Sequence, residues 1–159
     1  MAIVVNAGPL ISLARIGLLD LLPKLFDEIL VPDAVFQEVT QDQSLPGARA
    51  VKEADWLKLG EISDREAVIR FSFWLDAGES EVLVLAQETG ATAVIDEKRA
   101  RNLAAGLGIP QTGTIGILLA AKRVGAIPEV APLSDQLMAS GVRLSPRLYE
   151  EARRMAGET

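Results

Sequence analysis

Oxygen-bearing side chains follow two short apolar runs in this sequence. Asn6 follows the run 2–5, and Asp96 and Glu97 follow the run 92–95. Runs of this length are typical of fully buried strands in a parallel sheet. Open α/β sheets bind ligands at the carboxyl ends of their strands, so we expect these three side chains to lie at one sheet edge.

Two further acids, Glu38 and Glu79, lie in predicted helices that can approach the same edge. Several carboxylates without histidine suit the binding of a divalent cation and the activation of water. Each residue also has a structural explanation. Glu79 suits the first turn of any helix, Asp96 could cap the next helix, Glu38 could be a surface acid and Asn6 a turn residue. Their shared location is stronger evidence than any one of them. Glu81, by contrast, is expected to be solvated.

The composition of the 159-residue chain limits the chemistry. It contains no cysteine and no histidine, which excludes thiolate and histidine-based nucleophiles and the usual zinc ligands. A bound metal should therefore be Mg²⁺ or Mn²⁺, held by oxygen. The net charge of −6 argues against a broadly basic nucleic-acid-binding surface. No targeting signal is apparent and the uncharged stretch 102–121 is interrupted by turns, so we expect a cytoplasmic protein without a membrane span.

Short apolar strands alternate with helices along the chain. This order predicts a parallel sheet covered by helices on both faces. The predicted strands are 2–5, 28–31, 56–59 and 92–95. The predicted helices are 10–14 with a continuation to 22, then 34–40, 49–54, one capped by Ser63 or Asp64 and ending at 74, 79–89, 98–107, 115–124, 134–140 and 146–155.

Four stretches carry a family resemblance: VVNAGPLISLARIGLLDLL, VPDAVFQEV, LDAGESEVLVLAQETGATAVIDEKRAR and GIPQTGTIGILLAAKRVGAI. In this order they resemble PIN-domain proteins, closest to small predicted nucleic-acid-binding proteins of prokaryotes related to VapC-type toxins. The likeness covers residues 3–127 of a chain that we interpret as one domain, 1–159, with a helical carboxyl-terminal extension, 128–159. It implies a Rossmann-like three-layer α/β/α sandwich around a parallel sheet of four to five strands.

The resemblance also implies a Mg²⁺- or Mn²⁺-dependent ribonuclease, with RNA as its substrate and, if it is a toxin, an antitoxin protein as its partner. The family's metal ligands fall on Asn6, Glu38, Glu79 and either Asp96 or Glu97, and its catalytic acids on Glu38, Glu79 and Asp96. Asn6 stands where the family usually has aspartate. It keeps an oxygen ligand but loses a charge worth roughly 4 kcal/mol to a singly charged partner at about 4 Å and an effective dielectric near 20. The alternative is therefore a weakened or inactive PIN-like module that binds nucleic acid or protein.

Basic and hydroxyl residues near the acids predict contacts to RNA. Lys98, Arg99 and Arg101 follow Asp96 directly and lie off the apolar stripe of their helix. Lys122 and Arg123 end a later helix, and Thr112 and Thr114 could supply hydroxyl groups. The structural alternatives are a solvated helix face, favourable charges at a helix terminus and helix capping.

The segment 67–75, AVIRFSFWL, predicts a homodimer. Val68, Phe71 and Leu75 form one stripe that should face the core, whereas Phe73 and Trp74 fall elsewhere, together with Ile69. A second apolar face on a soluble protein commonly marks an interaction site, and a two-fold dimer is the commonest solution. The alternative is that the carboxyl-terminal helix covers this patch through Leu148 and Met155.

Overall fold

A parallel sheet forms the centre of the computed structural model, which describes residues 1–45 and 47–158. Its strands are β1 (Ala2–Val5), β2 (Glu28–Pro32), β3 (Leu57–Gly60), β4 (Thr92–Val94) and β5 (Gln111–Thr112). The strands lie in the order β3-β2-β1-β4-β5, and every neighbouring pair is parallel. This α/β architecture confirms the predicted sandwich. The sequence missed β5, whose two polar residues carry no apolar pattern.

Helices connect the strands and cover the sheet. They are α1 (Ala7–Arg15), α2 (Leu21–Leu25), α3 (Asp33–Thr40), α4 (Ala48–Glu53), α5 (Arg65–Phe71), α6 (Ala77–Thr89), α7 (Lys98–Gly106), α8 (Thr114–Arg123), α9 (Ala131–Ala139) and α10 (Pro146–Met155). Within the described ranges, none of them is long and apolar enough to cross a bilayer.

Two predicted helices end three or more residues earlier than expected. The first does not continue to residue 22: α1 ends at Arg15, and Gly17 adopts a left-handed conformation, φ 72°, before the separate α2 begins. Helix α5 ends at Phe71 instead of at Trp74. The reason is that Asp76 must be extended, with φ −73° and ψ 176°, to cap the next helix, so the intervening residues form turns.

Helix α6 is the most deeply buried helix of the fold. Residues 78–86 are all buried, and the helix contacts β1, β2 and β4. It ends, as predicted, at Gly90, whose φ of 76° is readily accessible to glycine. Because the helix packs into the core along most of its length, its amino-terminal turn is held firmly against the sheet.

The order of strands places a crevice between β1 and β4. The chain builds the sheet outward from β1 to β2 and β3, and then returns to add β4 on the other side of β1. Val5 lies opposite Val94, and the Asn6 N–H donates to the Val94 carbonyl at 3.0 Å. A reversal of this kind is where open α/β sheets bind ligands. The residues that follow β1 and β4 therefore meet at this crevice, as predicted.

Candidate active site

The amino terminus of α6 organises the acids at this crevice. The Asp76 carboxylate accepts the Glu79 N–H at 2.8 Å, and Glu79 Oε1 accepts the Asp76 N–H at 3.1 Å. This reciprocal pair is a capping box, which satisfies two backbone donors that a helix terminus leaves unpaired. The capping box fixes the Glu79 side chain, which is only 9% exposed.

Gly78 brings two other predicted residues together. A Cβ atom added to Gly78 would lie 3.3 Å from Glu38 Oε1 and 3.5 Å from Asn6 Oδ1. The oxygens of α3 and of the β1 terminus therefore both contact the first turn of α6, where a larger residue would crowd them. Asn6 is the N-cap residue of α1, but its side chain makes no capping hydrogen bond to that helix. Its amide oxygen is thus directed to the crevice.

Negative charge accumulates at this point. We call Glu38, Asp76, Glu79 and Glu97 the acidic cluster. Burial raises the pKa of Glu79, and repulsion from Asp76, Glu97 and Glu38 raises it further, against the lowering effect of the Asp76 N–H. Partial desolvation, and then repulsion from Asp76, also raise the pKa of Glu38, although this residue is exposed on the surface. A cation at the crevice would relieve this repulsion.

The structure separates the two acids that follow β4. Glu97 repels Glu79 and so belongs to the acidic cluster. Asp96 instead accepts the Thr114 N–H at 2.7 Å and the Thr114 hydroxyl at 2.6 Å. It thereby caps α8 and not the helix that directly follows it. Gly113 leaves room for this contact, because a Cβ atom there would lie 2.6 Å from Asp96 Oδ1.

The donors at the crevice are all oxygens. Among residues 1–45 and 47–158, no three acidic, histidine or cysteine side chains converge closely enough to form a metal-binding group. The amide of Asn6 and the carboxylates of the acidic cluster nevertheless suit a hard divalent cation, because Mg²⁺ takes only one or two carboxylates and completes its shell with water and phosphate oxygens. The accumulated negative charge and the chemistry of the donors both fit such an ion.

The predicted RNA-contacting residues have different surroundings. Lys98 and Arg99 are exposed, and the Arg99 guanidinium donates to the Trp74 carbonyl at 3.4 Å. Arg101 is half-buried, and its Nε donates to Gln111 Oε1 at 2.7 Å. These three cations lie on the first turns of α7, close to the acids that follow β4. Thr112 is half-buried in β5. Thr114 is 3% exposed, with its hydroxyl directed at Asp96.

The cations at the end of α8 do not join the crevice. Lys122 donates to Glu158 at 2.8 Å and to the Ala156 carbonyl at 2.6 Å, which ties it to the carboxyl terminus. Arg123 follows it in the last turn of the helix and is exposed. Because α8 begins at Thr114, about 12 Å of helix separates Lys122 from the acids.

Glu81 is not solvated, contrary to the prediction. It is 7% exposed, accepts the Ala34 N–H at 3.0 Å and pairs with Arg65 at 3.1 Å. It satisfies a backbone donor at the start of α3 and links that helix to α5 and α6. Its partners lie 47 and 16 residues away in the chain, so helical periodicity could not identify them.

Sequence reasoning missed Asp76, which contributes to the raised pKa of both Glu38 and Glu79. The signal was present: an aspartate three residues before a glutamate, at the start of an apolar helix, indicates a capping box. Gly78 and Gly113 were also missed, because their importance lies in the side chains that they leave room for.

The segment 67–75 has one buried face and one exposed face, as the sequence predicted. Val68 and Leu75 are buried, whereas Phe73 is 79% exposed and Trp74 60% exposed. We call these two residues, with Ile69 at 61% exposure, the aromatic patch. The alternative that α10 covers it is wrong, because all three side chains are open and α10 packs against α8 and α9.

The comparisons with known proteins agree with this architecture. A family model described as "DUF3368: PIN domain" matches residues 2–158. No curated protein matches the chain. The match spans nearly the whole chain and includes both the sheet and the acidic crevice. The chain therefore belongs to the PIN-domain family, whose fold is nuclease-like.

Proposed function

We propose that the chain is a Mg²⁺- or Mn²⁺-dependent endoribonuclease that hydrolyses phosphodiester bonds in RNA. The observation that carries the proposal is the acidic cluster at the β1–β4 crevice of a PIN-family sheet, where burial and mutual repulsion raise the pKa of two carboxyl groups. Such perturbed groups concentrate at functional sites.

Each residue at the crevice has a role in this proposal. Asn6, Glu38, Glu79 and Glu97 would hold the cation, with Asp96 as the alternative to Glu97. A bound divalent cation would supply Lewis acidity that orients and activates water for in-line attack on a phosphorus atom.

The surrounding residues position these ligands and the substrate. Asp76 holds Glu79 through the capping box, and Thr114 fixes the orientation of Asp96. Lys98, Arg99 and Arg101 would contact the RNA phosphates. Of the two threonines, Thr114 is bonded to Asp96, which leaves the hydroxyl of Thr112, on the neighbouring β5, for the RNA. These cations offset locally the repulsion between RNA and a chain of net charge −6.

Calorimetric titration with Mn²⁺ and cleavage of single-stranded RNA test the proposal. Glu38→Gln and Glu79→Gln should each weaken Mn²⁺ binding about tenfold or more and abolish cleavage, because each removes a charged ligand. Asp96→Asn tests the alternative ligand in the same way. Glu129→Gln, an exposed acid outside the cluster, is the matched control. If the three crevice variants all bind Mn²⁺ as the wild type and the control do, the crevice is not a metal site.

A second candidate is a PIN-like module that binds RNA or protein without cleaving it. Asn6 favours it, because an amide replaces the acid usual at this position and lowers the charge available to a cation. Asn6→Asp should raise Mn²⁺ affinity and cleavage if the site is active. RNA binding that is independent of metal, with no cleavage by either protein, would support the binding module instead.

The resemblance to VapC-type toxins extends the proposal to a toxin–antitoxin pair, with an antitoxin protein as the partner. Induced expression in a bacterial host should then arrest growth for the wild type but not for Glu79→Gln. Growth arrest by both proteins would reject a toxic nuclease activity.

A homodimer through the aromatic patch completes the proposal. Light scattering at micromolar concentration should show a dimer for the wild type and a folded monomer for Phe73→Glu. Val124→Glu, at a residue that is 67% exposed on the end of α8, is the control and should leave the dimer intact. A monomeric wild type would contradict this part of the proposal.

A further inference from the structure

A largely apolar cavity adjoins the candidate active site. It lies between α8, α10 and the segment that joins α9 to α10, and has a volume of about 290 Å³. Its walls are mostly aliphatic, with contributions from Ile115, Leu119, Leu144, Leu148 and Met155. This volume is just below the usual range for ligand pockets, ~300–1,000 Å³, and suits one ring system better than a whole nucleotide.

One end of the cavity belongs to the crevice. Asp96, Arg101 and Thr114 line it, and Asp96 lies two residues after the end of β4. Asp96 and Arg101 both lie close to Gly113, since a Cβ atom there would be 2.6 Å from Asp96 Oδ1 and 3.2 Å from an Arg101 guanidinium nitrogen. A ligand in the cavity would therefore contact Asp96, one of the two acids that follow β4.

We propose that this cavity is a subsite for one unstacked nucleobase of single-stranded RNA, next to the phosphodiester bond that is cut. The inference rests on the proposed ribonuclease function and adds the form of the substrate. Aliphatic walls would pack on the two apolar faces of a base. Arg101 at the crevice end, and Arg143 elsewhere on the wall, would be available to the phosphates that flank it.

The same geometry favours a single strand. A base in an A-form duplex can enter a pocket only after it is unpaired and unstacked, whereas bases in loops and single strands are readily splayed out. The cavity would also contribute to the affinity for RNA. With a net charge of −6, the protein as a whole repels RNA at long range, so apolar contact with a base would add to the affinity that the local cations provide.

Filling the cavity tests the subsite. Leu148 lies on the cavity wall and is 39% exposed, whereas Leu107, at the end of α7, is 40% exposed and lies outside it. Leu148→Trp should weaken the binding of a short single-stranded RNA about tenfold, and Leu107→Trp should not change it. Equal affinities for the two variants would reject the subsite, and would leave an apolar side chain of a protein partner as the occupant.

RNA with one abasic nucleotide provides the second measurement. At the position next to the cleaved bond, loss of the base should weaken binding to the wild type about tenfold, and to Leu148→Trp much less, since that variant can no longer hold the base. If the wild type cleaves RNA but no abasic position matters, the subsite is rejected and the ribonuclease stands. If the wild type neither binds nor cleaves RNA with Mn²⁺ present, both are rejected.

Discussion

Two carboxylates show how differently this molecule treats buried negative charge. Glu158, near the carboxyl terminus, accepts the N–H groups of Val130 and Ala131 at 2.7 and 2.8 Å and the Lys122 ammonium at 2.8 Å. Burial alone would raise its pKa, but Lys122 and the two N–H groups lower it to about 2. Glu79 receives one N–H and faces three other acids, so its pKa is raised.

The difference distinguishes a structural anchor, Glu158, from a residue of the candidate active site, Glu79. Around Glu158 the protein itself supplies one ammonium and two N–H groups. These bonds join the end of α8, the start of α9 and the residues after α10. Around Glu79 it supplies acids, whose negative charge a bound cation would balance. Natural proteins tolerate such local destabilisation where function requires it.

The largest effect is expected from removing the anchor. Glu158→Ala should lower the free energy of unfolding by about 3 kcal/mol, because its pKa falls from 4.5 to about 2 on folding and each unit is worth about 1.36 kcal/mol. Urea denaturation measures the loss. Glu129→Ala, a nearby exposed acid, should change it little. A loss no larger than that of the control would mean that Glu158 is not an anchor.

Acid should affect the two regions in opposite directions. The stabilisation from Glu158 is fully present above pH 4.5 and is lost as the pH falls towards 2. Glu38 and Glu79 have raised pKa values, so the folded state holds their protons more tightly than the unfolded state does. Their repulsion is relieved as the pH falls from neutral towards 4.5, and stability should rise slightly over that range before it drops.

Thermal unfolding at successive pH values, with and without Mn²⁺, tests this pair of trends. Mn²⁺ should remove the rise between neutral pH and 4.5, since the cation already balances the charge. It should leave the loss below 4.5 unchanged. A decline that begins at neutral pH without metal would contradict the contrast.

The same contrast shows what the sequence could predict. Apolar runs and Gly90 identified four strands and the central helix, because burial and helix termination leave local patterns. That the carboxyl ends of β1 and β4 meet at one sheet edge could be predicted from the parallel topology. The partners of the acids at helix starts could not be predicted from local patterns, because Glu81 bonds to Ala34 and Arg65 across the fold. Which of the two acids after β4 faces the acidic cluster and which one caps α8 depends on the direction of each side chain. The spacing of residues in the sequence does not determine that direction.

A smaller effect is expected from neutralising the site. Without metal, Glu79→Gln should be more stable than the wild type by about 1 kcal/mol, because one of four repelling charges is gone. With saturating Mn²⁺ the order should reverse, since only the wild type gains the free energy of binding. Differential scanning calorimetry measures both conditions. If Glu79→Gln is less stable than the wild type without metal, the capping box outweighs the repulsion.

The smallest change in stability is expected at Gly78, and the comparison with Gly8, which has the equivalent position in another helix, makes it the sharpest test of the site. Gly78 and Gly8 are each the second residue of their helix, α6 and α1. Alanine at position 8 would meet nothing within 4 Å and should stabilise the helix by up to about 1 kcal/mol.

Alanine at position 78 would lie 3.3 Å from both Glu38 Oε1 and Val35 Cγ2, and 3.5 Å from Asn6 Oδ1. The same helical gain should therefore be offset by crowding, and stability should change by less than about 0.5 kcal/mol. Mn²⁺ affinity should nevertheless fall several-fold for Gly78→Ala and stay unchanged for Gly8→Ala, because only the former moves metal-binding oxygens. Unchanged affinity in both variants would show that Glu38 and Asn6 do not need their present separation to hold the cation.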